Sequence, residues 1–423
     1  MSSSFDLTAL SARETNRQRN TLNLIASENY PSPQTLALLG SAWGTKYAEG
    51  QPGKRYYAGN ELADVLEKKT QDLALEVFQA TGYGVNLQVL SGSPANATVY
   101  HAVLEPQDLV LSLSLAEGGH LSHLHQTSVY NKYYRFAHYR LKEIAPDSFV
   151  IDEDDYRQKL QTLRPKLVIL GFSAYPPRFD FAKCIRLAHE QGALVLADIA
   201  HINGLVAAGV HPTPFAKGVS GADFVTMTTH KTLRGPRGGV LFAKQEGGYL
   251  DKVNRAVFPG SFGGPHLQKI AAIARTLQEI TGQEVYPDKR SFGDYARAVL
   301  ANCKALENAL KRHGVAVVSP TQTHLCLIRL PETVNSLHLQ KSLEKTGLIS
   351  NRNMLPNDPK TAWIPSGMRF GSAALTSRGA TTTDFENIAE WISWHIFEPE
   401  NEKLLAKAKQ EAGQLAQRLA WYL

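Results

Sequence analysis

Lys231 is the residue from which the chemistry of this chain reads most directly. It follows an apolar, strand-like run, Ala222 to Thr229, inside the block Thr228-Thr229-His230-Lys231-Thr232-Leu233-Arg234-Gly235-Pro236-Arg237-Gly238-Gly239. Hydroxyls and an imidazole precede the lysine, and a glycine-rich, arginine-bearing turn follows it. Desolvation and cationic neighbours lower a lysine pKa, and the free amine then attacks a carbonyl to form a Schiff base. Pyridoxal phosphate is the cofactor that most often needs such an amine. It also needs an acidic partner for its ring nitrogen and a cradle for its phosphate.

Both complements are present. The apolar run Gly192 to Ala197 ends in Asp198, with His201 three residues on. Ligands of open α/β sheets sit beyond the carboxyl ends of the strands, and a buried carboxylate there needs a positive partner. A protonated pyridine nitrogen is one such partner; a salt bridge or a helix cap is another. The run Leu87-Gln88-Val89-Leu90 leads into Ser91-Gly92-Ser93-Pro94-Ala95-Asn96-Ala97, which reads as strand, tight turn and helix start. Free N–H groups and serine hydroxyls at such a turn form an anion site, although a serine-capped βα turn has the same signature. The lysine-bearing phosphate-loop consensus is missing.

Three further features carry polar chemistry. His120, His123 and His125 lie close together, but no carboxylate or cysteine completes a metal set, so no metal is expected. An imidazole stacked on a heteroaromatic ring fits one of them, and polar packing the others. Glu49 is the one carboxylate in a loop of tyrosines and glycines, Lys46 to Tyr57, where partial burial would raise its pKa toward proton transfer. Arg369 stands alone in the short segment Ser366 to Gly371, suited to a bidentate grip on a substrate carboxylate or to a structural ion pair.

The elements that must position these residues alternate. Candidate strands are Leu87–Leu90, Leu109–Leu113, Leu167–Gly171, Leu194–Ala197, Phe224–Thr228 and Val240–Phe242. A helix over 61–80 is expected with Leu62, Val65, Leu66, Leu73 and Val77 on one face, and another from Phe181 to Gln191 stops at Gly192. Such alternation predicts an α/β fold with a mostly parallel sheet between helices. Beyond about residue 275 the pattern changes. A charged helix over 288–313 is followed by strands Val315–Val318 and Leu325–Leu330. A helix over 336–346, a loop from Asn351 to Pro365 and a helical end over 401–422 complete the chain. The expected division is an N-terminal arm (1–45), a large domain (46–275) and a smaller α+β domain (276–423).

Bulk composition narrows the class. The chain has 423 residues, 43% hydrophobic and 20% charged, as expected of a globular enzyme. No apolar run is long enough to span a bilayer, and the start Met-Ser-Ser-Ser-Phe-Asp lacks a secretory pattern. Cys184, Cys303 and Cys326 are dispersed and odd in number, which points to a reducing cytoplasm. Lys and Arg number 45 against 39 Asp and Glu, a surplus of six spread along the chain with no nucleic-acid motif.

The ordered blocks resemble serine hydroxymethyltransferases over nearly the whole chain. They are Leu24-Ile25-Ala26-Ser27-Glu28-Asn29, Lys46 to Gly50 with Pro52 to Tyr57, Ser91-Gly92-Ser93, Gly118-Gly119-His120-Leu121, Asp198 with His201, Thr228 to Gly239, and Ser366-Gly367 with Arg369. The resemblance implies a fold-type I pyridoxal-phosphate enzyme with a seven-stranded-type sheet and a smaller C-terminal α+β domain. It implies an obligate homodimer, often a dimer of dimers, with shared sites. It implies a reversible interconversion of serine and glycine with tetrahydrofolate as co-substrate and one-carbon acceptor.

By the same resemblance, Lys231 would carry the cofactor as a Schiff base, Asp198 would pair with the pyridine nitrogen and His120 would stack on the ring. Ser173 and His201 would contact the phenolic oxygen and the substrate region. Ser91, Gly92, Ser93 and His230 would hold the phosphate from one subunit, with Tyr57 and Gly264 reaching in from the other. Ser27, Tyr57 and Arg369 would bind the amino acid. Glu49, Tyr47 and Thr228 would serve proton transfer and positioning. Tyr56, Leu115, Gly119, Leu121, Asn353 and Glu49 would receive the folate.

The chain departs from the family pattern at Pro94, Glu117, Phe262, Pro177-Arg178 and Ser372-Ala373, and through a longer Lys217–Gly221 segment. Some of these lie near the expected phosphate or folate contacts. A folate-independent threonine aldolase or transaldolase is therefore the alternative within the family. A catalytically silent RNA-binding paralogue is the alternative outside it, opposed by the presence of Lys231, Asp198, Glu49 and Arg369.

Overall fold

A computed structural model describes residues 5–216 and 221–422. Lys217 to Ser220, most of the lengthened segment, lie outside the described residues. Seven strands form the central sheet: β1 (Tyr83–Asn86), β2 (Leu109–Leu113), β3 (Arg135–Tyr139), β4 (Leu167–Gly171), β5 (Leu194–Asp198), β6 (Phe224–Thr228) and β7 (Gly239–Lys244). Their order is β1-β7-β6-β5-β4-β2-β3, and neighbours are parallel except where β7 runs antiparallel to β6 and β1.

The sheet is covered on both faces, which is why its strands read as continuous apolar runs. Successive side chains point to opposite faces. Along β4, Leu167 and Ile169 enter one apolar cluster while Val168 and Leu170 enter another; along β6, Phe224 joins the first and Val225 and Met227 the second. Of the helices, α1 (Leu7–Arg19) buries no residue, α2 (Glu61–Phe78) packs on α5 (Leu267–Thr281), and α3 (Gly92–Val103) packs on β6 and β7. Between them α4 (Phe181–Glu190) ends at Gly192, whose φ of +76° suits a residue without a Cβ.

A second, antiparallel sheet has the order β8-β9-β11-β10, from β8 (Ala316–Val318), β9 (Leu325–Arg329), β10 (Asn351–Asn353) and β11 (Gly367–Gly371). Helices α6 (Phe292–Arg312), α7 (Thr382–Phe397) and α8 (Glu402–Arg418) build a third apolar cluster beside it. Leu22 and Leu24 of the N-terminal segment belong to that cluster, and Leu22–Asn23 pair in parallel with Leu348–Ile349. Arg378 locks both chain ends: its guanidinium donates to the carbonyls of Arg19, Thr21, Ala416 and Ala420 at 2.6–3.0 Å.

Several sequence expectations are corrected. The first strand is Tyr83–Asn86, not Leu87–Leu90. The Leu87 and Val89 carbonyls accept instead from the buried ammonium of Lys269, at 2.8 and 2.6 Å. The inward face of α2 is Ala63, Glu67, Thr70, Ala74 and Val77, while Leu62 and Val65 are 72% and 57% exposed. Small residues let α5 approach closely, and Glu67 is tolerated inside because Arg55 and Gln88 donate to its two oxygens at 2.6 and 2.9 Å. The helix expected from 288 begins at Phe292, where the Ser291 hydroxyl accepts from the Asp294 N–H. The expected loop from Asn351 opens with a strand, and β3 and α7 were not anticipated.

Candidate active site

The strands deliver their chemistry at their carboxyl ends. Asp198 is the last residue of β5, and Lys231 follows the end of β6 by three residues. Both line one cavity of about 490 Å³, together with Ser27, Ser91, Gly92, Ser93, His120, Ser173, His201, Thr228, His230 and Arg369. Leu115, Gly119, Leu121 and Asn353 line it as well. Sixteen of the sequence-nominated positions thus converge on one space, from segments nearly 350 residues apart.

Lys231 is 7% exposed. Burial, with the Arg369 and Arg237 charges adding to it, outweighs the attraction of Asp198 and brings the amine down to about 8. Its turn is tightly built: the Gly235 N–H donates to Thr229 O at 2.7 Å and the Arg234 N–H to Lys231 O at 3.0 Å. Arg234 holds a left-handed φ of +65°, and its guanidinium lies 3.4 Å and 4.3 Å from the ring centroids of Tyr286 and Tyr295. Asn29, from the N-terminal motif, donates to Lys231 O at 2.8 Å.

Burial alone would raise the Asp198 carboxyl, but two donors prevail and hold it well below the usual carboxylate range. His123 Nε2 lies 3.0 Å and Asn96 Nδ2 2.8 Å from Oδ2, while the Ala200 N–H donates to Oδ1 at 3.0 Å. The network continues outward: Asn96 donates to the Ser122 hydroxyl at 2.9 Å, and that oxygen lies 2.7 Å from His120 Nδ1. Burial lowers His120 to about 4, so it is a neutral ring. His125 instead faces Thr127 at 3.0 Å, so the three imidazoles diverge toward different partners.

The turn before α3 is not a self-satisfied cap. Among the described residues, no backbone N–H of the helix bonds to the Ser91 hydroxyl. His230 Nδ1 is buried without a partner beside this turn, and burial holds that ring down to about 3. Helix N–H groups, serine hydroxyls and an unpartnered imidazole nitrogen together fit a phosphate. Arg369 is buried without an ion-paired carboxylate among the described residues. It donates to Ser173 O at 2.6 Å and Asn351 Oδ1 at 3.2 Å, both neutral acceptors, so its charge remains available.

Five nominated residues stand elsewhere. Tyr47, Glu49, Tyr56, Tyr57 and Gly264 do not line the cavity. They form their own group, with the three tyrosines exposed and Glu49 and Gly264 half-buried: the Tyr47 hydroxyl donates to Glu49 at 3.3 Å, the Tyr47 and Tyr57 rings meet at 5.0 Å, and a Cβ on Gly264 would lie 3.1 Å from the Tyr47 ring.

A family model described as serine hydroxymethyltransferase matches residues 2–392. A serine hydroxymethyltransferase of Synechococcus sp. (strain JA-3-3Ab) is 41% identical over 97% of this chain and 94% of its own length. One of Acidobacterium capsulatum is 40% identical over 99% of this chain and 94% of its own. The chain belongs to the serine hydroxymethyltransferase family.

The departures from the family pattern are accommodated locally. Pro94 sits in the first turn of α3, where no N–H is needed. Glu117 does not line the cavity; it accepts from Leu141 N at 3.1 Å and the Ser114 hydroxyl at 3.2 Å, and burial raises its pKa. Ser372 donates to Val299 O at 2.8 Å, and Arg178 N donates to Gln322 at 2.9 Å. Phe262 packs on an apolar cluster. Sequence reasoning gave no role to Asn96, named His123 only as polar packing, and passed over Arg237, Arg352 and Met354, which line the cavity. Asn96 and His123 both lay inside quoted motifs, but what each reaches depends on the fold.

Proposed function

We propose that this chain catalyses the pyridoxal-phosphate-dependent, reversible interconversion of serine and glycine with tetrahydrofolate as one-carbon acceptor. The observation that carries the reading is the buried Lys231 amine, poised near 8, sharing a cavity with a carboxylate that His123 and Asn96 keep charged. Bound there, pyridoxal phosphate would supply an electron-accepting ring. Lys231 would hold its aldehyde carbon, and Asp198 would keep its pyridine nitrogen protonated. His120 would cover the ring face. Ser91, Gly92, Ser93 and His230 would hold the phosphate.

Arg369 and Ser27 would fix the carboxylate of the amino acid, and Thr228 and His201 would position the reacting atoms. Leu115, Gly119, Leu121 and Asn353 would take the folate. Glu49, Tyr47, Tyr56, Tyr57 and Gly264 would act across a homodimer interface, in the partner's cavity. The exposure of Tyr47, Tyr56 and Tyr57 and the separation of all five from the cavity of their own chain support that placement. The division into an arm, a large cofactor-binding domain and a small domain belongs to this reading, as does a cytoplasmic location, for which three buried free cysteines speak. No helix among the described residues is long and apolar enough to cross a membrane.

Borohydride reduction of the holoenzyme followed by peptide mapping tests the assignment. Label on the Lys231 peptide, lost in Lys231→Ala together with tetrahydrofolate-dependent serine cleavage, is the expected result. Label on another lysine, or serine cleavage indifferent to tetrahydrofolate, would defeat it.

A further inference from the structure

His201 and His324 form a buried pair behind the cavity. His201 follows β5, His324 immediately precedes β9, and their rings stack at 5.4 Å with planes 30° apart. Nδ1 of His201 and Nε2 of His324 are 3.2 Å apart. The same Nε2 lies 3.2 Å from the carbonyl oxygen of Ala26, beside Ser27. Nδ1 of His324 is buried and has no partner among the described residues. The backbone around it is fixed, since the Ser372 N–H donates to His324 O at 3.0 Å.

Both rings are neutral. Burial, followed by the charges of Lys231 and Arg369, disfavours protonation of each, and it takes His324 down to about 3. Each ring therefore carries one N–H, and its position follows from the hydrogen-bond inventory. If His324 holds its proton on Nδ1, that N–H is a buried donor with no acceptor, and the bare Nε2 confronts the Ala26 oxygen. If the proton is on Nε2, it points toward Ala26 O and His201 Nδ1, and only a lone pair is left unpartnered. The second arrangement is the cheaper one. It requires Nδ1 of His201 to be an acceptor.

We infer that His324 is a positioning residue that fixes the tautomer of His201, so that His201 presents an Nε2–H donor to the cavity. His201 lines that cavity, and among the described residues its Nε2 has no hydrogen-bond partner. A fixed donor there recognises an oxygen that carries negative charge, and it cannot serve as a base at that nitrogen, which has no free lone pair while it holds the proton. The tautomer itself stands on protein contacts. Which oxygen receives the bond rests on the proposed function.

Nitrogen-15 NMR of ring-labelled histidines in the full chain, with and without pyridoxal phosphate, reads the tautomers directly. The expected result is an N–H on Nε2 of both His201 and His324 in each state; an N–H on His201 Nδ1 overturns the inference. His324→Glu places an acceptor where the donor stood. It should move the His201 proton to Nδ1 and lower kcat for serine roughly 10-fold or more, with KM changed less than about threefold. His324→Gln, whose amide can donate to both acceptors, should keep the tautomer and most of the rate. An unchanged His201 tautomer in His324→Glu also overturns the inference. A protein that shows the expected tautomers but binds no pyridoxal phosphate would defeat the proposed function and leave this assignment standing.

Discussion

Lys231 is a liability to the protein when nothing is bonded to it. Its amine titrates near 8 when folded against 10.5 for an unhindered lysine, because burying the ammonium costs more than the attraction of Asp198 returns. The sign follows. Between those values the unfolded chain binds more protons than the folded one, so stability rises with pH; below about 8 the full penalty applies. The shift corresponds to a penalty on the order of 3 kcal/mol. Cofactor-free Lys231→Met should therefore unfold at higher denaturant than the cofactor-free parent at pH 7, and its advantage should shrink as the pH approaches 10. A stability difference that stays flat over this range in urea titrations would mean that the lysine is not buried as a cation. The lysine's identity was readable from the strand and glycine-rich turn around it. Its neighbours were less so. Nothing in the spacing of His120, His123 and His125 says that the middle one reaches Asp198, 75 positions away.

The elements show why apolar runs can be read correctly and placed wrongly. Leu87–Leu90 has the hydropathy of a strand, yet the strand is the less apolar Tyr83–Asn86, paired with β7. What separates them is Lys269 on α5, over 180 positions downstream, whose ammonium takes the carbonyls a sheet neighbour would otherwise take. β3 has no apolar signature because it is an edge strand with a polar sequence, and on α2 Val77, Leu66 and Leu73 of the expected face do pack on the core, while Leu62 and Val65 give way to small residues and a satisfied glutamate. The parallel strands buried on both faces, β4 to β6, were legible in full because both faces ask for the same residues. Lys269 also holds the segment that leads straight into Ser91. Lys269→Met would leave two buried carbonyls without a donor, each costing roughly 1–3 kcal/mol, with partial relief from no longer burying a charge. The melting temperature should fall by several degrees, and pyridoxal phosphate should dissociate faster on dialysis. An unaltered melting temperature together with unaltered retention would refute the role given to this lysine.

At the scale of the whole molecule, the chain leaves part of its chemistry facing outward. Tyr47 and Tyr56 are 51% and 75% exposed, α1 buries no residue, and α2 turns Leu62 and Val65 to its outer side. The loop holds Glu49 against Tyr47 away from the cavity of its own chain, and in the proposed homodimer a second copy would cover it and place it over that copy's cavity. In the homodimer proposed above, a two-fold interface would make such an exchange reciprocal, so that each cavity would draw Lys231 from one chain and Glu49 from the other. Two inactive variants, Lys231→Ala and Glu49→Gln, can then repair one another. In a hybrid dimer one cavity collects both lesions and the other collects neither. If subunits are unfolded, mixed in equal amounts and refolded, half the dimers are hybrids with one intact cavity each, and activity should return to about one quarter of the parent's. If all the groups of a cavity came from one chain, no hybrid would hold an intact cavity, and the mixture would stay as inactive as its components.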